Sequence, residues 1–305
     1  MSEDWDGLLP LDKPAGPTSH DLVASVRAAT GARRVGHTGT LDPPATGLLL
    51  LVLGRATRLA RFLPDAPKTY EGTLVLGVTT TTDDLSGDVV HRHQGPLPGA
   101  DAVLAGAASH LGRHAQVPPA FSARQVGGTR MYRLARLGVV VEAPASEVCV
   151  ERLDLAPTDT PDRWSYAMVV STGTYVRAIV RDLGATLGCG AVVASLRRTA
   201  IGPLRVDDAL TLPPERSSWS DAVRRRLIPL DAMPLHLPSI ALASTADALR
   251  FIAGGIVIVA ASHVQDAALT AVRDDRGRLL GVGHASEGTL RPRVVLPRTE
   301  QTSGG

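Results

Sequence analysis

The feature that most constrains the fold is a run of six consecutive apolar residues, 48–53, with the sequence LLLLVL. The run is far shorter than the roughly 20 apolar residues that a membrane-spanning helix needs. Because Gly47 and Gly54 bound it, the run is typical of a short strand that is buried on both faces. We therefore expect a sheet whose centre lies inside a hydrophobic core, and no membrane partner.

The length and the first residues of the chain set the expected organisation. A chain of 305 residues exceeds the usual size of a single domain, so we expect one large domain and one smaller domain. The first six residues, MSEDWD, are acidic and lack the basic start and apolar segment of a secretory signal peptide. A cytoplasmic location is the resulting expectation.

Helix and strand signals follow one another along the first two thirds of the chain. Thr18 and Ser19 offer N-caps to a segment with an apolar stripe that Gly31 ends, which predicts a first helix. Residues 68–78 alternate between two faces, as a strand does. Further helices are predicted over 101–111 and 175–187, and further strands within 8–16, over 48–53 and over 165–172. Helices and strands together predict a mixed fold.

A stretch rich in proline, serine and arginine, residues 213–238, divides the chain. Such a stretch is typical of a connection between domains, and we place the boundary near residue 236. Beyond it, short strand candidates separated by turn signals predict a small all-β module over 236–297. These candidates are residues 256–261, 269–273, 279–284 and 294–296. Residues 298–305 are expected to form a disordered tail.

Arginine supplies almost all of the positive charge. The net charge of +2 is too small by itself to indicate a nucleic-acid partner, but Lys13 and Lys68 are the only lysines among 32 basic residues. Arg55, Arg58 and Arg61 recur at every third residue and should share one helical face. That face is either solvated or in contact with RNA, and the sequence favours neither alternative.

Ahead of the apolar run lies a loop rich in glycine and hydroxyl groups, residues 36–47, with the sequence GHTGTLDPPATG. Its Asp42 stands before two prolines, where aspartate is a common turn residue. The glycines, however, permit close approach of a ligand to the backbone, and His37, Thr38 and Thr40 add hydrogen-bonding side chains. The loop is therefore a candidate site centred on Asp42, with a simple turn as the structural alternative.

This loop resembles the signature of the TruB family of bacterial tRNA pseudouridine synthases. Five other segments resemble motifs of the same family, in the expected order. They are residues 11–19 (LDKPAGPTS), 68–72 (KTYEG), 116–123 (QVPPAFSA), 173–177 (GTYVR) and 196–198 (LRR). Six ordered matches indicate membership of the family rather than coincidence.

The resemblance implies isomerisation of the T-loop uridine of tRNA, position 55 in tRNA nomenclature, to pseudouridine without a cofactor or a metal. Asp42 would be the nucleophile, Arg177 the cation that keeps it ionised, and Tyr70 the ring that stacks on the base and accepts or relays the C5 proton. Carboxylates do act as nucleophiles at sugar carbons. Attack at C1′ and prior deprotonation to a glycal are both compatible with these residues. His91 and His93 have no apparent third ligand, so no metal site is predicted.

The resemblance also predicts contacts with the substrate. Lys13 resembles a lysine that frames the site and Lys68 the lysine before the stacking tyrosine, and phosphate or backbone contact suits both. His37 and Tyr175 resemble residues that touch extruded nucleotides, and Leu196 one that lines the uracil pocket. The predicted substrate-binding set is Lys13, His37, Lys68, Asp84, Tyr175 and Leu196.

Two positions depart from the family pattern. Thr81 stands where relatives often carry aspartate, although Asp84 keeps an acid near the expected position of Arg177. Gln125 stands where a lysine is usual. These departures put contacts around the site in question, but not the nucleophile.

The fold that the resemblance implies is of the α+β class. A catalytic domain over 1–235 would have a mainly antiparallel central sheet, and a small β-rich, PUA-like module over 236–297 would bind RNA. Five arginines of that module could neutralise phosphates of the acceptor arm or merely make the sheet more soluble. They are Arg273, Arg276, Arg278, Arg291 and Arg293.

The implied partner is tRNA, at its T arm and with the acceptor stem as a further candidate, and no obligate protein partner is expected. Two other hypotheses are kept open. One is a tRNA-binding folding chaperone with a vestigial site, and the other is an isomerase that acts on ribosomal or other RNA. Some relatives of the second kind depend on a guide RNA, but one compact appended module gives no sign of guide partners.

Overall fold

The computed structural model describes residues 5–122, 124–126, 128–137, 139, 143–259 and 268–297. The α-helices in these ranges are α1 (Ser19–Thr30), α2 (Ala100–Ala108), α3 (Met131–Arg136), α4 (Val176–Thr186), α5 (Trp219–Arg226) and α6 (Thr245–Ile252). The first ten strands are β1 (Gly7–Lys13), β2 (Val35–Thr38), β3 (Thr46–Leu53), β4 (Lys68–Leu76), β5 (Val78–Thr80), β6 (Val89–Arg92), β7 (Gly112–Gln116), β8 (Gln125–Val126), β9 (Thr129–Arg130) and β10 (Ser146–Pro157). The others are β11 (Arg163–Val170), β12 (Ala191–Ile201), β13 (Leu204–Arg205), β14 (Ile228–Pro229), β15 (Ser239–Ala241), β16 (Val257–Ile258), β17 (Ala268–Arg273), β18 (Leu279–Ser286) and β19 (Thr289–Val295).

The large sheet contains ten strands within the described residues. Its main order is β14-β1-β3-β12-β4-β11-β10-β7, with β2 paired to β3 and β13 paired to β12. Only β3 and β12 run parallel in this sheet as described, and its other pairs are antiparallel. This arrangement confirms the expected α+β fold with a mainly antiparallel central sheet. The strand β12, which the sequence analysis did not predict, lies at its centre.

β3 shows why the apolar run constrains the fold. Alternate residues of a strand point to opposite faces of the sheet. Leu49 and Leu51 pack into one core with α1, α4 and α5, whereas Leu48 and Leu50 pack into a second core that includes β18 and β19. None of these four leucines is more than 3% exposed. The prediction of a strand buried on both faces is confirmed.

The two long helices of the catalytic region lie close to where the sequence places them. Thr18 caps α1 and forms a reciprocal capping box with Asp21, and Gly31 ends the helix with φ of +66°. α4 covers Val176–Thr186 within the predicted 175–187. No helix among the described residues is long and apolar enough to cross a membrane.

The C-terminal residues form a five-stranded sheet with the order β15-β17-β18-β19-β16. The expectation of an all-β module is wrong in one respect, because α6 packs on this sheet with Ser244 as its N-cap and Phe251 fully buried. Of the predicted strand 256–261, the structure has β16 at Val257–Ile258, and residues 260–261 lie outside the described residues. The predicted tail, 298–305, also lies outside them.

The C-terminal sheet packs directly against the large sheet, because apolar side chains of β18 and β19 share a core with β1 and β3. Arg55 pairs with Asp6 at 2.7 Å and donates from Nη1 to the carbonyl of Pro297 at 3.0 Å. Arg58 donates to the carbonyl of Val295. These arginines lie on a 3-10 helix, Gly54–Phe62, and join the two sheets, a role that neither predicted alternative included. The boundary at 236 stays a prediction.

Candidate active site

Asp42 lies in the loop that joins β2 to β3, and the backbone beside it is held from α1. The hydroxyl of Ser19 donates to the carbonyl of Leu41 at 3.1 Å and accepts from the amide of Leu41 at 3.0 Å. Both Ser19 and Leu41 are buried, whereas the side chain of Asp42 is 41% exposed. The two hydrogen bonds with Ser19 therefore fix the backbone beside Asp42, while its carboxylate stays open to a ligand.

Lys13 holds the same loop from the other side. Its side chain is fully buried, and Nζ donates to the carbonyls of Pro14 at 2.9 Å, Pro43 at 3.0 Å and Ala45 at 2.7 Å. Burial lowers the pKa of Lys13 to about 8, and the nearby charge of Asp42 opposes that shift. Three carbonyls engage the ammonium group, so Lys13 frames the loop through backbone contacts in this structure.

Arg177, in the first turn of α4, places a positive charge beside the carboxylate of Asp42. Its Nε donates to Oδ2 of Asp42 at 2.9 Å. The guanidinium is permanently charged and only 6% of its side chain is exposed, so solvent screens the contact less than it screens a surface ion pair. Two predicted residues that are 135 positions apart in the sequence thus meet in the expected geometry.

The other nitrogens of Arg177 are held by carbonyls of two separate segments. Nη1 donates to Thr82 at 2.6 Å and Nη2 donates to Phe121 at 2.8 Å. Asp84 approaches Nε at a longer distance of 3.9 Å, and its Oδ1 accepts hydrogen bonds from Thr82 and Ser86. The guanidinium therefore has one fixed orientation, and Asp84 lies behind the ion pair as a buried second carboxylate.

A small cavity of about 60 Å³ opens beside this ion pair. Its lining includes Asp42, Asp84 and Arg177 together with Leu196 of β12. A cavity lined by both apolar and charged side chains can bind a ligand that has an apolar part and a polar part. The predicted positions of Leu196 and Asp42 around one pocket agree with this geometry.

Tyr70 lies on β4 and is only 7% exposed. It belongs to the apolar cluster that also contains Leu41 and Ala45, which are the neighbours of the Asp42 loop. Beside it, the hydroxyl of Tyr166 donates to the carbonyl of Ser195 at 2.9 Å, and burial followed by the proximity of Tyr70 raises the pKa of Tyr166. Tyr70 is thus a core residue, and it is not among the described residues that line the cavity beside Asp42.

Tyr175 and His37 lie on the segments that carry Arg177 and Asp42, but neither is among the described residues that line the cavity. Tyr175 is the residue before α4, and its backbone is held by the buried side chain of Gln116, which accepts from the Tyr175 amide at 2.8 Å and donates to its carbonyl at 3.2 Å. His37 lies on β2 opposite Leu51. The sequence placed Gln116 in a family segment but gave no indication of this role.

Sequence reasoning also missed an ion pair that ties two family segments together. Arg197 of β12 donates through both terminal nitrogens to Asp12 of β1, at 2.9 and 2.8 Å. Its neighbour Arg198 is 1% exposed and donates to the carbonyls of Leu48 at 2.7 Å and Gly39 at 2.9 Å. The signal available in the sequence was the pair of adjacent arginines, but their partners are more than 145 positions away.

The two departures from the family pattern lie outside the ion pair. Thr81 accepts a hydrogen bond from the amide of Asp88 in the β5–β6 hairpin. Gln125 is exposed in the β8–β9 hairpin. In the described part of the chain, no cluster of three or more histidine, cysteine, aspartate or glutamate side chains could hold a metal ion.

Comparisons with known proteins find relatives along most of the chain. The TruB family pseudouridylate synthase N-terminal domain matches residues 27–176, and the tRNA pseudouridylate synthase B C-terminal domain matches residues 177–233. The tRNA pseudouridine synthase B of Burkholderia mallei (strain NCTC 10247) is 40% identical over 295 residues, which cover 95% of this chain and 97% of the relative. That of Acaryochloris marina (strain MBIC 11017) is 41% identical over 298 residues, which cover 95% and 99%.

Among solved structures, the crystal structure of a Cbf5-Nop10-Gar1 complex matches with a TM-score of 0.70 and 23% identity, over 96% of this chain and 85% of the matched chain. At that identity the likeness shows the fold alone, and it agrees with the mixed sheet described above. The sequence relatives confirm the resemblance drawn from the six segments. The roles of the individual site residues stay predictions.

Proposed function

Because the chain belongs to the TruB family of pseudouridylate synthases, enzymes that isomerise tRNA uridine, we propose that it modifies the T-loop uridine at position 55 with Asp42 as nucleophile. The observation that carries the assignment of Asp42 is its 2.9 Å contact with Arg177. One partner of this pair is buried and the other is open to a ligand. A charged, accessible carboxylate with a fixed counterion is what attack on a sugar carbon requires.

The chemistry needs no redox change and conserves every atom of the nucleotide. The C1′–N1 bond breaks, the uracil turns over, and a C1′–C5 bond forms, while C5 loses a proton and N1 gains one. In the direct route the carboxylate of Asp42 bonds to C1′ and leaves again when C5 attacks. In the glycal route Asp42 removes the proton of C2′ as the C1′–N1 bond breaks, and that proton returns to C2′ when the C1′–C5 bond forms.

Access to C1′ requires that the target leave its stacked position in the loop. Flipping a nucleotide costs a few kcal/mol, which contacts in the site must offset. We assign this task to Leu196, which lines the cavity, and to the side chains of Tyr70, Tyr175 and His37. Stacking of a base on an aromatic ring contributes about 1–3 kcal/mol.

Recognition beyond the loop is assigned to the C-terminal sheet. Arg291 and Arg293 are both exposed on β19, one on each side of Pro292, where a bulge interrupts the pairing of β19 with β18. Arg273 donates to two backbone carbonyls and Arg278 pairs with Asp274, so these two support the sheet itself. We propose that Arg291 and Arg293 contact phosphates of the acceptor stem, and that the enzyme acts in the cytoplasm.

The test is to map pseudouridine by mass in unmodified tRNA after incubation with the purified protein. We expect modification of the T-loop uridine, both in whole tRNA and in an isolated T-arm hairpin. Modification at another uridine, with the T loop unchanged, would refute the proposed target and keep the family activity. The double variant R291Q/R293Q should weaken binding of whole tRNA more than binding of the hairpin, because only whole tRNA contains the acceptor stem.

A further inference from the structure

Two cations converge beside Gly39, three residues before Asp42. A Cβ atom on Gly39 would lie 3.6 Å from Nη1 of Arg198 and 4.0 Å from Nζ of Lys68. Gly39 has φ of +76°, a conformation that other residues rarely adopt. The absence of a side chain therefore leaves a space that two positive groups border.

The guanidinium of Arg198 is stabilised by backbone carbonyls and not by an acidic side chain. Arg198 is almost completely buried, and its Nε and Nη2 donate to the carbonyls of Leu48 and Gly39. In the described residues it forms no ion pair, in contrast to Arg177 and Arg197. A buried cation without a counterion is costly, so a group that brings a negative charge to Nη1 would be strongly favoured.

Lys68 adds a second charge to the same place. Burial, and then the charge of Arg198, lower the pKa of Lys68, and Asp65 opposes the shift. Like charges that are held close together destabilise each other unless an anion lies between them. The pair therefore carries an excess of positive charge, which an anionic ligand would neutralise.

The space beside Gly39 opens into a cavity of about 350 Å³. Lys68 and Arg61 line it together with the hydroxyl-bearing Thr38, and Asp65 is the one acidic residue in its described lining. Arg198 lies next to this lining through its contact with Gly39. The surroundings thus carry more positive than negative charge, and they are large enough to admit a tetrahedral anion.

We propose that the space beside Gly39 binds a phosphodiester group of the RNA strand, held between Lys68 and Arg198. This proposal rests on the proposed function, which supplies the RNA. Three residues span at most about 11 Å, so a phosphate at Gly39 belongs to the nucleotides close to the flipped uridine. A lysine and an arginine suit a phosphate as point charge and hydrogen-bond donor, respectively.

The first test measures the affinity of a T-arm hairpin RNA at several salt concentrations. Removing one phosphate contact should reduce the slope of log affinity against log salt by about 0.7–0.9. K68M should show that reduction and a dissociation constant raised about tenfold, while K68R should keep the slope because it keeps the charge. R163Q is the matched control, since Arg163 pairs with Val75 at the far end of the strand pair that Lys68 begins.

The second test needs no variant, because the chain contains only two lysines. Lysine labelled with carbon-13 at Cε gives one signal for buried Lys13 and one for Lys68. The hairpin RNA should shift the Lys68 signal and raise the pH at which that signal titrates. Inorganic phosphate, added alone at increasing concentration, distinguishes a site for any phosphate anion, which also shifts the signal, from one that only the RNA strand fills.

The proposal is overturned if K68M keeps the slope of the wild type, if R163Q reduces the slope as much as K68M does, or if RNA leaves the Lys68 signal and its titration unchanged. Failure of the proposed function would look different. In that case the wild type would bind the hairpin with a slope that depends on Lys68, but no pseudouridine would form in the T loop.

Discussion

Two positions of one loop, three residues apart, offer different partners to a buried arginine. At Asp42, the guanidinium of Arg177 meets a carboxylate of the same chain at 2.9 Å, and carbonyls hold its other nitrogens. At Gly39, the guanidinium of Arg198 meets carbonyls alone and has Lys68 as its neighbour. The first region is neutral as a pair, and the second carries an excess of positive charge.

The difference indicates whether the negative charge beside each arginine comes from the protein or from a ligand. Where Arg177 contacts Asp42, the protein itself supplies the anion. A region with two cations gains stability when a ligand supplies the anion. In our two proposals, the same side-chain type thus accompanies a nucleophile in one region and binds a phosphate in the other.

The largest expected effect comes from removing the cation of the neutral pair. R177M should lower the turnover number about 10³-fold, because loss of one fixed electrostatic contact in a site costs about 10²–10³ in rate. Single-turnover assays at saturating tRNA measure this change. R177K keeps the charge without the fork that reaches two carbonyls, and should recover part of the rate; equal loss in both variants would show that geometry alone matters.

The next effect is on stability, and it tests whether the buried hydrogen bonds of Arg198 contribute more to the free energy of unfolding than the partly exposed ion pair of Arg197. R198M removes two hydrogen bonds from a buried charged donor, and we expect the free energy of unfolding to fall by about 3 kcal/mol. R197M, on the same strand, removes a partly exposed pair with Asp12 and should cost about 1 kcal/mol or less. Urea unfolding measures both, and similar losses would remove the contrast between the two arginines.

A smaller effect is expected from filling the space between the cations. G39A introduces a methyl group at a backbone φ of +76°, so it both strains the loop and occupies the space beside Nη1 of Arg198 and Nζ of Lys68. Binding of the hairpin RNA should weaken about tenfold, as for the loss of one charged contact. G31A is the control, because Gly31 also has a positive φ, ends α1 and has open space around it. Equal weakening by G31A would attribute the effect to strain alone.

The smallest effect concerns an arginine that also donates to a carbonyl but lies at the junction of the two sheets. R55Q breaks the pair with Asp6 and the contact with Pro297, and should lower the free energy of unfolding by about 1 kcal/mol or less because Arg55 is partly exposed. The salt slope of RNA binding should not change. A changed slope would show that Arg55 contacts RNA even though Asp6 already neutralises its charge.

Local signals in the sequence predicted the helices and strands whose ends or apolar pattern are determined by residues within or next to them. Thr18, Asp21 and Gly31 determine both ends of α1, and the run 48–53 predicted β3. The central strand β12 was not predicted, since Arg197 and Arg198 interrupt its apolar pattern and only their distant partners make them suitable for a sheet interior. The helix α6 is short, and the turn signals around it favoured strands.

The candidate site was predicted to the extent that its residues lie in recognisable segments. Asp42, Arg177 and Leu196 meet at one cavity as expected. The burial of Lys13 could not be predicted, because the three carbonyls that surround its ammonium group become neighbours only when the loop closes over β1. The same holds for the pairing of Gln116 with Tyr175, which depends on how β7 meets α4.

The central claim is that Asp42 reacts with the sugar, and D42N tests it most directly because it removes the charge and keeps the shape. The measurement is release of hydrogen from C5 of uracil, together with pseudouridine formation, in tRNA at concentrations that saturate binding. We predict that both fall at least about 10³-fold, while the dissociation constant for tRNA stays within a few fold. Undiminished C5 hydrogen release and pseudouridine formation by D42N would contradict the account.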